Sequence, residues 1–191
     1  MFAAYQLRPA QQANPRLQGS YWLAAACLAQ SLWVFLFLTG QFVASLAAMA
    51  AILVALILLY KSLHSEGRIS AAETWRAQRP ISLYLGWISV ATILNVAIAL
   101  ESVGWGGWGV PPVVWTVLMI AVAATLGALV LWQQADWIYP GVVVWALVAI
   151  AVRHSDRLGL AGTAVGSAAA LILLMGWRYS AKSRRYGLRQ G

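Results

Sequence analysis

Six long apolar runs follow one another along the chain, separated by short polar or Gly/Pro-rich segments. A helix needs about 20 mostly apolar residues to cross a bilayer, and most of these runs reach that length. They are continuously apolar rather than alternating, which disfavours the strands of an outer-membrane barrel. We therefore predict an all-α fold, a polytopic transmembrane helical bundle of about six spans. The expected spans are about 21–39, 42–60, 81–100, 113–132, 137–152 and 158–177.

The segments between the runs carry turn signals. Thr39-Gly40-Gln41 predicts a short turn between the first two spans. Pro111-Pro112 is suited to the first turn of the fourth helix, where a missing N–H costs nothing. The sequence SAAE at 70–73 has the pattern of a capping box and predicts a short interfacial helix. The fifth run is the shortest, and whether it crosses the bilayer fully stays open.

Composition supports a lipid environment. The chain is 62% hydrophobic and 9% charged, whereas soluble domains carry about 25% charged residues. So few charges cannot cover a water-facing surface. The single cysteine, Cys27, excludes an intramolecular disulfide and a cysteine-cluster metal site. The first residues lack the charged, apolar and small-residue order of a signal peptide, so we expect none.

The net charge of +8 predicts membrane orientation rather than nucleic-acid binding. Six spans place the N-terminal segment, the 61–79 segment and the C-terminal tail on one side of the membrane. These segments hold two, four and five basic residues, and the opposite side holds only the two in 153–157. Basic loops favour the cytoplasm, so both termini are expected there, in a bacterial inner membrane or an internal membrane.

Chemistry is sparse inside the spans. They contain no Asp, Glu, Lys, Arg or His, groups that pumps and coupled carriers place at mid-membrane. No nucleophile–base arrangement, phosphate loop or metal spacing is present, so we expect no catalytic activity and no metal site. Uncharged polar residues do lie inside the spans, and we expect interhelical hydrogen bonds from them. They are Gln30, Ser31, Ser45, Tyr84, Ser89, Thr92, Asn95, Thr116 and Thr125.

Aromatic residues give the most specific pattern. Most of the eleven tryptophans lie near span boundaries, as in an interfacial belt. Trp33, Trp87 and Trp145 fall inside spans, where they either pack the bundle or line an aromatic ligand pocket. In the third span, Tyr84, Trp87, Ala91 and Asn95 lie at steps of three and four and share one helical face. Stacking surfaces beside a few hydrogen-bonding groups are what a pocket for a planar apolar ligand needs.

The same residues carry a resemblance to a known family. The third span, with YLGW at 84–87, AT at 91–92 and LN at 94–95, resembles the last helix of the TspO/MBR family, the tryptophan-rich sensory, translocator-protein-like proteins. Gln30-x-x-Trp33-x-x-x-Phe37 is similar to the N-x-x-W-x-x-x-F motif of the family's third helix, with Gln in place of Asn. The resemblance covers about residues 19–100, and its two motifs come in the family's order.

The chain departs from the family pattern in three ways. The first helix and most of the second have no counterpart, so either Met1 is not the true start or this is a shortened member. Residues 1–100 are then a TspO-like partial core, and residues 101–191 an additional three-helix segment with a basic tail. The family's cholesterol-recognition pattern is missing after Asn95, so cholesterol binding is not expected.

The resemblance implies a membrane protein that binds a tetrapyrrole, such as porphyrin or haem, or another planar apolar ligand in a sensory role. No cofactor is certain from the sequence. The ligand-binding residues it implies are Trp33, Phe37, Tyr84, Trp87 and Asn95. The alternative is a non-catalytic accessory subunit of a larger membrane complex, one containing pigment for example. Gly162-x-x-x-Gly166 favours a helix contact, either internal or with another subunit in a homo-oligomer or complex.

Overall fold

The protein is an all-α, polytopic helical bundle. In the computed structural model, residues 21–64, 71 and 74–187 are described, with side chains as far as 181. The Ser and Glu of the capping box expected at 70–73 lie outside this part. Six long α-helices follow in order along the described chain: α1 Tyr21–Leu38, α2 Phe42–Leu63, α3 Arg79–Ser102, α4 Pro112–Gln134, α5 Ile138–Arg153 and α6 Leu158–Gly187.

Five of these helices are long and apolar enough to cross a membrane. The exception is α5, whose 16 residues extend about 24 Å at 1.5 Å per residue, less than the roughly 30 Å of a hydrocarbon core. The run whose full crossing the sequence left open therefore corresponds to this helix, α5. The longest is α6, whose 30 residues extend about 45 Å, well past the apolar run predicted at 158–177.

The chain divides into two compact units, one ending at Trp108 and one beginning at Gly109. In the first unit α2 is central, because it packs against both α1 and α3. Its contact face repeats at steps of three and four, and Met49, Ile52, Leu56 and Leu59 on it are at most 1% exposed. Leu28 and Phe35 of α1 are 74% and 62% exposed, as suits side chains that face lipid.

A π-helical turn at Thr74–Gln78 leads into α3. Its last residue, Gln78, is 7% exposed, and its Nε2 donates to the carbonyl of Leu63 at 2.7 Å. The final carbonyls of a helix have no partner within the helix. Gln78 therefore satisfies one of those carbonyls at the end of α2 and ties the start of α3 to it.

In the second unit, α4, α5 and α6 each pack against the other two. Pro112 is the first residue of α4, as the Pro-Pro signal predicted. Ala135 ends α4 in the left-handed conformation (φ 50°), and its N–H donates to Leu131 O. Asp136 then accepts a 2.9 Å hydrogen bond from Ile138 N–H at the start of α5.

The small-residue motif of α6 faces away from the other helices of this unit. Gly162 and Gly166 are both exposed, and a Cβ added at either would meet no described atom within 4 Å. The internal contact that the motif left open is thus absent from the described part of this unit.

Candidate functional site

The first unit has a polar pair at the end where the α1–α2 turn lies. Ser45 of α2 and Asn95 of α3 are 0% and 2% exposed, and Ser45 Oγ lies 3.2 Å from Asn95 Oδ1. The same hydroxyl lies 2.7 Å from Phe42 O. A hydroxyl donates only one proton, so Asn95 shares it with the closer carbonyl. The Nδ2 of Asn95 is buried and has no hydrogen-bond partner.

An aromatic row lies at the same end of this unit. The rings of Trp33 and Phe37 stack with centroids 5.1 Å apart, because residues four apart are neighbours on a helix surface. Phe37 in turn meets the edge of Phe42 at 5.2 Å, across the turn. The indole Nε1 of Trp33 is buried and has no hydrogen-bond partner. Two of the five expected ligand-binding residues thus carry unsatisfied buried donors.

Tyr84 connects α3 directly to α1. Its hydroxyl lies 3.4 Å from Oε1 of Gln30, a long hydrogen bond from a partly buried side chain. Gln30 lies three residues before Trp33, on the motif that the sequence resemblance identified. The contact confirms an interhelical role for Gln30 and Tyr84, and it brings the two sequence motifs together in space.

Trp87 lies farther outward than the other members of the expected α3 face. Its side chain is 47% exposed, whereas Asn95 is 2% exposed. Their separation of eight positions corresponds to about 12 Å along the helix. Trp33, Phe37 and Asn95 therefore lie at the turn end of the unit, and Tyr84 and Trp87 lie one to three turns deeper.

The expectation of interhelical hydrogen bonds was wrong for five of the polar residues. Each of these hydroxyls donates instead to the carbonyl four residues earlier in its own helix, the local bond that Ser and Thr readily make. They are Ser31, Ser89, Thr92, Thr116 and Thr125. Of the nine, Gln30, Tyr84, Ser45 and Asn95 join different helices. Periodicity cannot separate these two groups, because a hydroxyl reaches its own helix from any face.

The two histidines lie at helix ends rather than inside a site. His64 follows α2, stacks on Tyr60 with centroids 4.0 Å apart, and places Nδ1 2.9 Å from Tyr60 O. His154 follows α5 and donates its backbone N–H to Ile150 O. Among the described residues, no three His, Cys, Asp or Glu side chains come together as metal ligands.

A buried donor without an acceptor is rare in folded proteins, because leaving it unpaired costs about 1–3 kcal/mol. Trp33 is one such donor and lies within the aromatic row, and Asn95 is a second on α3, connected to the end of that row through Ser45 and Phe42. The Nε1 of Trp33 and the Nδ2 of Asn95 can each donate a hydrogen bond to a carboxylate or carbonyl oxygen, and the Trp33–Phe37 stack offers a flat apolar face. Neither donor nitrogen is a metal ligand.

Comparison with known proteins identifies a family. A family model described as TSPO-like protein matches residues 1–177. The match extends beyond the stretch in which the two sequence motifs lie and includes α4, α5 and the first 20 residues of α6. The division into a partial core at 1–100 and an added segment at 101–191 stays a prediction. No curated protein and no solved structure matches the chain.

Proposed function

The chain belongs to the TSPO-like protein family, and on that premise we propose that it binds a planar, mostly apolar ligand of the tetrapyrrole class in a sensory or regulatory role. The observation that carries the proposal is that two of the expected ligand-binding residues keep buried donors without acceptors, Trp33 Nε1 within a stacked aromatic row and Asn95 Nδ2 on α3. The proposed role is non-catalytic.

In this proposal each residue has a defined task. Trp33 and Phe37 offer a stacking face, and the Trp33 indole N–H donates to a peripheral oxygen of the ligand. Asn95 supplies a second donor while its Oδ1 stays with Ser45. Tyr84, anchored to Gln30, keeps α1 and α3 together at the deeper end. Trp87, half exposed, covers the lipid side of the ligand. A tetrapyrrole, when bound, supplies the conjugated ring and the acidic side chains.

Titration of the purified chain with protoporphyrin IX, followed by quenching of tryptophan fluorescence, tests the proposal. Trp87→Ala is expected to weaken binding several-fold, because the substitution removes the aromatic side chain that covers the ligand in this proposal. Trp145→Ala is the matched control, since Trp145 lies in the other unit and is 60% exposed. Unchanged affinity in Trp87→Ala, or an equal loss in both variants, would show that the pocket is wrongly placed.

A second function is favoured by a separate observation. The exposed Gly162 and Gly166 of α6 leave a flat surface on which another helix can approach closely. This surface suits an accessory subunit of a larger membrane complex, or a homo-oligomer. Purification in a mild detergent tests this alternative, because a subunit brings stoichiometric partners with it. A monodisperse monomer under the same conditions argues against it.

We further propose that both termini face the cytoplasm. The proposal rests on the eleven basic residues that six spans place on one side, against two on the other. Single cysteines introduced at Gly106 and Gly191 in a Cys27→Ser background, labelled from outside the cell with an impermeant maleimide, test the orientation. Labelling at 106 alone supports the proposed topology, and labelling at 191 alone reverses it.

A further inference from the structure

A cluster of aromatic residues and one arginine lies where α4 ends and α5 begins. Trp132 of α4 and Trp177 of α6 stack nearly parallel, with centroids 6.0 Å apart. Trp137, just before α5, meets the edge of Tyr179 at 6.3 Å. The guanidinium carbon of Arg178 lies 5.3 Å from the centre of the Trp132 ring. We call these five residues the Arg178 cluster.

Arg178 is fixed in position from two sides. Its Nη1 donates to Leu131 O, the same carbonyl that accepts the N–H of Ala135. The Trp132 ring holds the guanidinium plane by a cation–π contact. A guanidinium has five N–H donors, and within the described part of the chain one of them bonds to Leu131 O. The remaining donors form a preorganised fork, the geometry that binds phosphate through two parallel hydrogen bonds.

The Arg178 cluster has the composition of a membrane interface. Trp132 of α4, Trp177 of α6 and Trp137 just before α5 lie at this end, as in the aromatic belts at lipid headgroups. Trp132 and Trp177 are 57% and 58% exposed. Below them, Leu129 and Leu173 are 47% and 72% exposed. The surface is therefore polar and aromatic at the tryptophans and apolar about one helical turn away. A phospholipid needs the same order, with its headgroup on the polar part and its acyl chains on the apolar part.

Basic residues dominate the sequence of α6 and of the segment that follows it. The sequence from 158 to 191 contains five basic residues and no acidic one. Asp136, next to Trp137, is 8% exposed and accepts a hydrogen bond from the N–H of Ile138 at the start of α5. The outward face of the cluster attracts anions.

We propose that the Arg178 cluster is a binding site for an anionic phospholipid. The phosphate accepts hydrogen bonds from Arg178, the indoles of Trp132 and Trp177 flank the glycerol, and the acyl chains lie on Leu129 and Leu173. The site is independent of the ligand proposed for the first unit. An acidic peptide is a poorer fit, because the surface beneath the charge is apolar over more than one turn of both helices.

The test uses the full chain in nanodiscs of phosphatidylcholine with increasing fractions of phosphatidylglycerol. Native mass spectrometry counts retained phosphatidylglycerol, and thermal unfolding reports stabilisation. Arg178→Gln is expected to weaken retention about tenfold, the loss of a charge-assisted hydrogen bond. Arg153→Gln is the matched control, a basic residue at the opposite end of α5, and should retain the lipid. Equal retention in all three proteins overturns the proposal.

Two further arms keep the test decisive. Arg178→Gln also removes the bond to Leu131 O, so Trp177→Leu, which leaves that bond intact, is measured beside it and should lose retention several-fold. If Trp177→Leu retains phosphatidylglycerol as the unmodified chain does, the proposal fails even where Arg178→Gln does not fold. Inorganic phosphate is added to phosphatidylcholine nanodiscs. If it raises the unfolding temperature as much as phosphatidylglycerol does, the site binds a free anion and not a lipid.

Discussion

Ser45 Oγ on α2 lies 3.2 Å from Asn95 Oδ1 on α3. The two residues are fifty positions apart in the sequence, and both are almost fully buried. They form a direct polar link between these helices, and Asn95 keeps an unpaired donor beside it. The two ends of the Asn95 amide thus differ. Its Oδ1 contacts Ser45 and joins the helices, whereas its Nδ2 can donate to a ligand. These two roles can be measured separately.

The contribution of the Oδ1 contact to stability should be small. In a double-mutant cycle of Ser45→Ala and Asn95→Ala, we expect a coupling free energy of about 0.6 kcal/mol, typical of hydrogen bonds between helices in a membrane. The sharing of the Ser45 proton with Phe42 O keeps it low. Unfolding by steric trapping in bicelles measures it. A coupling above about 2 kcal/mol would exceed the range of such bonds and show a larger network.

Trp33 should separate ligand binding from stability. Trp33→Phe removes the unpaired donor, which stabilises the fold, and also part of the ring, which destabilises it. The two effects oppose each other, so the free energy of unfolding should change by no more than about 1 kcal/mol. Protoporphyrin affinity should fall about three- to tenfold, the value of one lost hydrogen bond. Trp145→Phe serves as control. A stability loss with unchanged affinity would make Trp33 a packing residue only.

Gln78 should matter more for stability than an exposed glutamine. Gln78→Leu removes the 2.7 Å bond to Leu63 O and leaves a buried carbonyl unpaired, which costs about 1–3 kcal/mol. Thermal unfolding in detergent measures the effect. Gln134→Leu, at the exposed end of α4, should change stability by less than about 0.5 kcal/mol. Equal effects of the two substitutions would contradict a capping role for Gln78.

A glycine should stabilise the end of α4. Ala135 has a φ of 50°, in the left-handed region where residues other than glycine pay about 1–2 kcal/mol. Ala135→Gly is therefore expected to raise stability by about 1 kcal/mol. Ala121→Gly, at an exposed position inside the same helix, should lower it by about the same amount. Thermal unfolding of both variants checks the opposite signs, and a loss in both would refute the left-handed cap.

The bounds of most helices followed from the sequence. In lipid every backbone polar group must be paired within the element, so a continuous apolar run of sufficient length has to be a helix. The predicted first, second, third, fourth and fifth spans agree with α1 to α5 within three residues at each end. The end of α6 was missed by ten residues, because the apolar run marks where the membrane ends and the basic residues beyond it still favour a helix.

The sequence by itself determined the helices, the motif order and the residues that share the Tyr84–Asn95 face. Only the tertiary structure decided which polar groups pair across helices, that Trp87 lies half outside, and that Trp33 and Asn95 keep unpaired donors. Helical periodicity fixes which side chains point in one direction. It does not determine which side chains of other helices they contact, because those contacts depend on how α2 packs against α1 and α3. The candidate site depends on that packing.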